Sequence, residues 1–283
     1  MANPAASWLQ LPRELTANIL QRLSVEDIFQ SAQVCTAWWR LWKDPSMWRY
    51  VDLWNLEAEP AGKARDWDKI CREVVNRSEG QLISIKLGNF ATDDLLFYIA
   101  QRAKQLRHLG IRSCSHVSDE GFRKAVNEFP VLEELQLEYT PNISKQGIEA
   151  AGQSCPFLNS FSFIKKVSGF LNGSSDEEAV AIAENMHGLK HLTLDGNRMT
   201  DKGVEAILDA CPLLQSLNLD HCNYIWLGGE LRDRCSQQIK DLSHHIDNPG
   251  VYLTELFWDF KLRDPGGFDE MIRGSKDRLY GLL

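Results

Sequence analysis

The sequence predicts an α/β solenoid preceded by a short three-helix module, and three observations predict it. The triplet Leu189, Leu192, Leu194 returns as Leu214, Leu217, Leu219, with leading residues 25 apart. Between the copies, Val204, Ile207, Leu208 and Cys211 fall at helical spacing, so a short strand and a helix alternate at fixed period. Six of the nine tryptophans (Trp8, Trp38, Trp39, Trp42, Trp48, Trp54) precede residue 55, whereas the leucine period starts after residue 80, which divides the chain into two modules. One strand-helix unit cannot bury its apolar face alone, so neighbours must stack on both sides of it.

Composition narrows the functional classes. With 283 residues, 43% of them apolar and 25% charged, the chain can build a sizeable core. A formal charge of -8 and a pI near 5.4 offer no basic footprint for a nucleic-acid partner. The opening MANPAASWLQLPREL has no basic segment ahead of an apolar stretch, and no run approaches the ~18 apolar residues of a membrane span, so neither export nor a membrane partner is expected. The seven cysteines are odd in number and scattered, and read as buried thiols of a reducing compartment, cytoplasm and/or nucleus.

Residues 8–54 form the first module. Leu11 and Pro12 stand at the entry of a helix carrying Leu15, Ile19, Leu20 and Leu23, where proline suits a first turn whose N–H groups lack intrahelical partners. Ser24 with Asp27 fits a capping box that opens a second helix, with Ile28, Val34 and Cys35 on its apolar side. A third piece, Trp38 to Trp42, is stopped by Asp44 and Pro45, and Trp48 and Val51 follow. Three short helices do not make a self-sufficient core, so the module either caps its neighbour or presents apolar residues to a partner. Trp38 and Trp48 read as core or as contact.

The run LPRELTANILQRLSVEDIFQSAQVCTAWWRLWKDPSMW resembles an F-box over nearly the whole motif. Leu11, Pro12, Glu14, Ile19, Leu20, Leu23, Asp27, Ile28, Val34, Cys35, Trp38, Arg40, Leu41, Asp44, Pro45 and Trp48 stand at that family's spacing. Ile28 replaces the usual leucine, and Trp39 and Trp42 are additional; neither change introduces a charge or a gap. The resemblance implies docking to the Skp-type adaptor of a cullin-RING ubiquitin ligase, with Leu11, Pro12, Ile19, Leu20, Val34, Cys35 and Trp38 supplying or supporting the contact surface.

Residues 55–80 join the modules. Asn55 to Asp66, with Pro60 and Gly62, reads as a loop, and Trp67, Ile70, Cys71, Val74 and Val75 as a packing helix. Across residues 81–243 the further triplets are Leu82, Ile85, Leu87; Leu106, Leu109, Ile111; Leu132, Leu135, Leu137; and Leu158, Phe161, Phe163, giving steps of 24, 26, 26, 31 and 25 residues through to Leu214. Eight positions after a leading leucine come Cys114, Thr140, Asn197 and Cys222, small groups suited to satisfying backbone where a strand turns. Asp119 with Gly121, Lys145 with Gly147 and Asp201 with Gly203 precede helices that Phe129-Pro130, Cys155-Pro156 and Cys211-Pro212 end. These units resemble the cysteine-containing class of leucine-rich repeats. With the F-box, the chain is similar to the plant family of F-box proteins carrying such repeats, which implies a horseshoe of about six strand-helix units. The longest step places an extra loop at Lys165 to Ser175, either a binding loop or a tolerated insertion.

Period-2 alternation buries the triplets and turns their neighbours onto one outward sheet face. The candidate substrate-binding residues are Lys86, His108 and Arg112, then Glu134, Gln136 and Glu138, then His191, Thr193 and Asp195, then Asn218 and Asp220. This face is basic at its first strands, acidic from the third, and without aromatics. It suits a protein substrate, or is polar simply because it is wet.

No metal is expected, because His221 with Cys222 and Cys211, His187 with His191, and His244 with His245 lack paired ligand spacing. No Gly-rich phosphate loop, G-x-S-x-G elbow or H-E-x-x-H helix occurs, so neither catalysis nor a cofactor is expected. Leu231, Cys235, Ile239 and Leu242 predict a further helix. Within residues 244–283, VYLTELFWDF at 251–260 reads as a cap on the open end of the solenoid or as a docking segment. The expected function is a non-catalytic substrate-recognition subunit of a Skp-cullin-F-box type ubiquitin ligase; the alternative is a structural or sequestering scaffold without ubiquitin output.

Overall fold

A computed structural model describes residues 11–23, 25–54, 65–165 and 173–245. Ser24 of the expected capping box, most of the loop after Trp54, most of the insertion after Phe163 and the apolar segment 251–260 lie outside the described residues.

The first module is three helices, Arg13–Leu20 (α1), Val25–Ser31 (α2) and Thr36–Trp42 (α3), and a single tight turn, Pro45–Trp48. Pro12 occupies the N-cap of α1. Asp44 caps the tight turn, accepting from the N–H and Oγ of Ser46 at 3.0 and 2.8 Å, and it also pairs with Arg13. The two proline-bearing ends of the module are thereby clasped together. Inside, the rings of Phe29, Trp42 and Trp48 meet at centroid distances of 5.6 to 6.4 Å. Trp48 is 1% exposed and its Nε1 donates to the Trp42 carbonyl, so it is core and not contact.

Among the described residues, eight parallel strands follow one another in sequence order in a single sheet: Tyr50–Leu53 (β1), Ser84–Leu87 (β2), His108–Arg112 (β3), Glu134–Glu138 (β4), Ser160–Ile164 (β5), His191–Thr193 (β6), Ser216–Asn218 (β7) and Asp241–Ser243 (β8). Helices Trp67–Arg77 (α4), Asp93–Arg102 (α5), Asp119–Val126 (α6), Lys145–Ser154 (α7), Glu177–Asn185 (α8), Asp201–Ala210 (α9) and Gly229–Gln238 (α10) alternate with them. All six predicted triplets are buried in the expected register. The sheet exceeds the expected six strands by one at each end. At the front, Trp48, Val51 and Leu53 form a triplet whose strand pairs with β2, so the end of the helical module is already the first strand. At the back, the expected helix stops at Gln238, and Leu242 lies on β8 opposite Leu217.

The helices bury one stripe each at positions i, i+3, i+4 and i+7: Leu96, Ile99, Ala100 and Ala103; Phe122, Ala125, Val126 and Phe129; Ala179, Ile182, Ala183 and Met186; Val204, Ile207, Leu208 and Cys211. A carboxylate device joins consecutive helix starts. The N–H and Oγ of Ser118 donate to Asp93 at 2.8 and 2.6 Å, those of Ser144 to Asp119 at 2.9 and 2.6 Å, and those of Thr200 to Asp176 at 2.7 and 2.9 Å. Each acceptor sits at the start of one helix and its donor caps the next, so one side chain satisfies orphan donors of its neighbour. The glycines make room for it: a Cβ on Gly121 would stand 2.0 Å from Asp93 Cγ, and one on Gly203 2.7 Å from Asp176 Oδ1. At the strand turns, Cys114 Sγ donates to the Gly88 carbonyl, Cys222 Sγ to Leu194 and Asn197 Nδ2 to Phe163, each at 2.7 Å. Thr140, the fourth expected turn residue, departs from this: its buried Oγ1 has no partner.

Candidate functional site

Two surfaces stand out, one on each module. On the first, α1 turns Thr16 and Leu20 inward and leaves Leu15 and Ile19 outward, 51% and 38% exposed; Leu11 just before the helix and Leu23 just after it are 36% and 40% exposed. Val34 and Trp39 are exposed as well. Of the seven predicted adaptor-facing residues, Leu11, Pro12, Ile19 and Val34 face solvent, and Cys35 and Trp38 are half-buried. Leu20 is 3% exposed, so it holds α1 on the core and does not present a contact. Leu15, Leu23 and Trp39 were outside the predicted set; the four-residue spacing from Leu11 through Leu23 was the signal that could have found the two leucines, and it does not reach Trp39.

On the repeats, the pairing register sets the outward residues in transverse rows. One row runs Tyr50, Ser84, His108, Glu134, Ser160, His191, Ser216, Asp241; the next runs Asp52, Lys86, Gly110, Gln136, Ser162, Thr193, Asn218, Ser243. Arg112 and Glu138 are paired partners in a third row, and Asp195 and Asp220 follow β6 and β7. All eleven predicted face residues are exposed or half-buried.

The expectation of a face without aromatics is overturned. The ring of Trp54, just past β1, covers Gly110 of β3, where a Cβ would stand 2.2 Å from Trp54 Cζ3. Lys86 Nζ lies 5.1 Å and the Arg112 guanidinium 5.8 Å from the centroid of that ring. Arg112 also lies 5.9 Å from the ring of Tyr139 and 3.5 Å from Glu138. Burial raises the carboxyl pKa of Glu138, against the pull of Arg112 and Lys86, and Asp195 adds to the rise.

At the far end the acids are engaged within the fold. His221 Nδ1 lies 2.8 Å from Asp195. Asp220 accepts from Ser243 Oγ, from the N–H of His245 and from Asn218, and has His245 Nδ1 at 2.8 Å. Burial opposes its charge, but donors from His245, Ser243 and Asn218 outweigh burial and hold its pKa at about 2. Cys211 and Cys222 are buried, and burial pushes their thiols up to about 11 and about 12, so they are structural groups and poor nucleophiles. Among the described residues no three His, Cys, Asp or Glu side chains converge as metal ligands would.

An outward apolar surface on a helical module, fused to a parallel strand-helix solenoid with a polar sheet face, defines a two-surface protein-interaction molecule. Comparison with known proteins agrees. A family model described as F-box-like matches residues 8–54, and one described as leucine-rich repeat matches residues 185–208. The Arabidopsis thaliana F-box protein SKIP19 is 41% identical over 86% of this chain and 79% of its own length. F-box/LRR-repeat protein 23 of the same plant is 44% identical over 83% of this chain, which spans about half (53%) of that relative's length. A chain in the crystal structure of the yeast Rad7 and Elc1 complex shares the fold, with a TM-score of 0.54 at 16% identity over 71% of this chain and 50% of that one. The chain belongs to the plant family of F-box proteins with leucine-rich repeats.

Proposed function

We propose that this protein is the non-catalytic substrate-recognition subunit of a Skp-cullin-F-box type ubiquitin ligase, its helical module docking on a Skp-type adaptor and its sheet face receiving a protein substrate. The observation that supports this best is the apolar surface at α1: Leu11, Leu15, Ile19 and Leu23 remain in water although Leu20, Leu41, Met47 and Trp48 of the same module are buried in the core. Such a patch gains by burial against a partner, and the gain needs no chemistry. The sheet face, polar and rigidly held by parallel strands, suits an extended protein surface. Family membership makes a ligase adaptor the partner to test. Purified chain mixed with a Skp-type adaptor is expected to give a stable complex on gel filtration, and absence of one sinks the reading. Reconstituted ubiquitylation of a bound target then separates a ligase subunit from a scaffold without ubiquitin output.

A further inference from the structure

The last unit of the solenoid is built like its neighbours but buried unlike them. At the middle triplet position, Ile85, Leu109, Leu135, Phe161, Leu192 and Leu217 are each no more than 1% exposed, whereas Leu242 of β8 is 36% exposed. Leu242 keeps their register, pairing opposite Leu217, so what it lacks is a further layer among the described residues. There β8 pairs with β7 alone, and one edge of its backbone has no strand beside it. A second position at this end departs from the repeat. Ser118, Ser144 and Thr200 each give an N–H and a hydroxyl to the aspartate of the preceding helix start, but Trp226 gives Asp201 its N–H alone, at 2.8 Å, and is itself 78% exposed. Asp201 also lies close enough to His244, just past β8, to act on its charge. Two large apolar groups therefore stand in water at the end of the sheet that carries an open strand edge, a combination that invites association.

We propose that the open side of β8 is the docking site of the chain's own residues 251–260, with Leu242 beneath the contact and Trp226 at its rim. The sequence of that segment suits a strand edge. Leu256, Trp258 and Phe260 alternate with Glu255, Phe257 and Asp259, so three apolar groups recur at period 2. Proximity selects this occupant. Five residues, Ile246 to Gly250, separate the segment from His245, and a neighbouring strand position lies only about 4.8 Å from β8. Asn248, Pro249 and Gly250 among them are turn formers. A parallel return needs a connection of about a dozen residues, so this short link docks the segment antiparallel. Tethered so closely, it meets β8 at an effective concentration on the order of millimolar, which a separate protein or a second copy does not match. The contact pairs the free edge, covers Leu242 and closes the sheet to edge-to-edge association.

Two reciprocal measurements on the full chain test this. Leu256→Asp with Trp258→Asp is expected to make the amides of β8 exchange about tenfold faster or more, while those of β4 keep their rate. Leu242→Asp is expected to speed chymotrypsin cleavage at Tyr252, Phe257 or Trp258 by a similar factor, with a thermal melt confirming that the repeats remain folded. Phe157→Asp, at a position 61% exposed and three strands away, is expected to leave that cleavage as it is in wild type. Unchanged β8 exchange in the double variant, or cleavage of residues 251–260 at one rate in wild type and Leu242→Asp, overturns the proposal. Acceleration by Phe157→Asp as well overturns it too, because a general loosening then explains the cutting. Protection of wild type that falls on dilution assigns the edge to a second copy and overturns the intrachain occupant.

Discussion

Gly121 shows how a repeat protein writes its geometry at single positions. Its missing Cβ is the space in which the Asp93 carboxylate reaches back to Ser118, so the glycine of one unit serves the aspartate of the unit before it. Gly121→Ala is expected to cost about 2 kcal/mol in urea denaturation, because the new methyl displaces a carboxylate that holds two hydrogen bonds. In an Asp93→Ala background the same substitution is expected to cost far less, and a double-mutant cycle showing no coupling contradicts this account. Thr140 supplies the converse case. Its buried hydroxyl has no partner, so Thr140→Val is expected to be neutral or stabilising by up to about 1 kcal/mol. The Asp-Gly pairs were visible in the sequence as helix starts, but their partnership was not. The two groups that touch belong to neighbouring repeats, and only the stacking register brings them together.

At the scale of the strand, the interior of the sheet was legible and its two ends were not. Leucine triplets at a steady period disclose β2 through β7, because an interior unit must bury the same positions on both sides. The end units are under weaker constraint: β1 buries Trp48, Val51 and Leu53, whereas at the triplet positions of β8 Ile239 is buried, His244 half-buried and Leu242 36% exposed, and neither set reads as a leucine triplet. Missing β1 also hid Trp54, which is why the sheet face looked free of aromatics. His244 stands where earlier triplets place a buried leucine, and its Nε2 is buried without a partner. Burial lowers its pKa from the ordinary 6.5, against the pull of Asp220 and Asp201. Below pH 6.5 the unfolded chain takes up a proton that the folded chain resists, so this contribution to stability is present above that pH and is lost as pH falls. Amides of β8 are expected to exchange faster relative to β4 at about pH 5.5 than at about pH 7.5, after correction for intrinsic rates. His244→Leu is expected to abolish that difference and to stabilise the chain by about 1 kcal/mol.

At the scale of the molecule, the two surfaces share one framework. Trp48 is core to the helical module and leads the triplet of the first strand; Val51 of that strand pairs with Ile85. The Arg49 carbonyl accepts from the N–H groups of Ile83 and Ser84, and the Arg77 guanidinium lies 3.5 Å from the Trp42 ring. Under the proposed function, a partner on the sheet face would thereby sit at a set distance from one covering α1, which a flexible tether would not provide. The same sharing makes binding and folding separable by position. Ile19→Asp on α1 with Val34→Asp between α2 and α3, both exposed positions, is expected to abolish adaptor binding while leaving the midpoint of thermal unfolding within about a degree or two of wild type. Trp48→Ala, a few residues away in sequence, is expected to cost about 3–5 kcal/mol and to loosen β1 and β2 together, because one cavity opens beneath both modules. Hydrogen exchange that rises in the helices alone after Trp48→Ala contradicts the shared core, and an Ile19 and Val34 double variant that keeps its adaptor moves the docking surface off these positions.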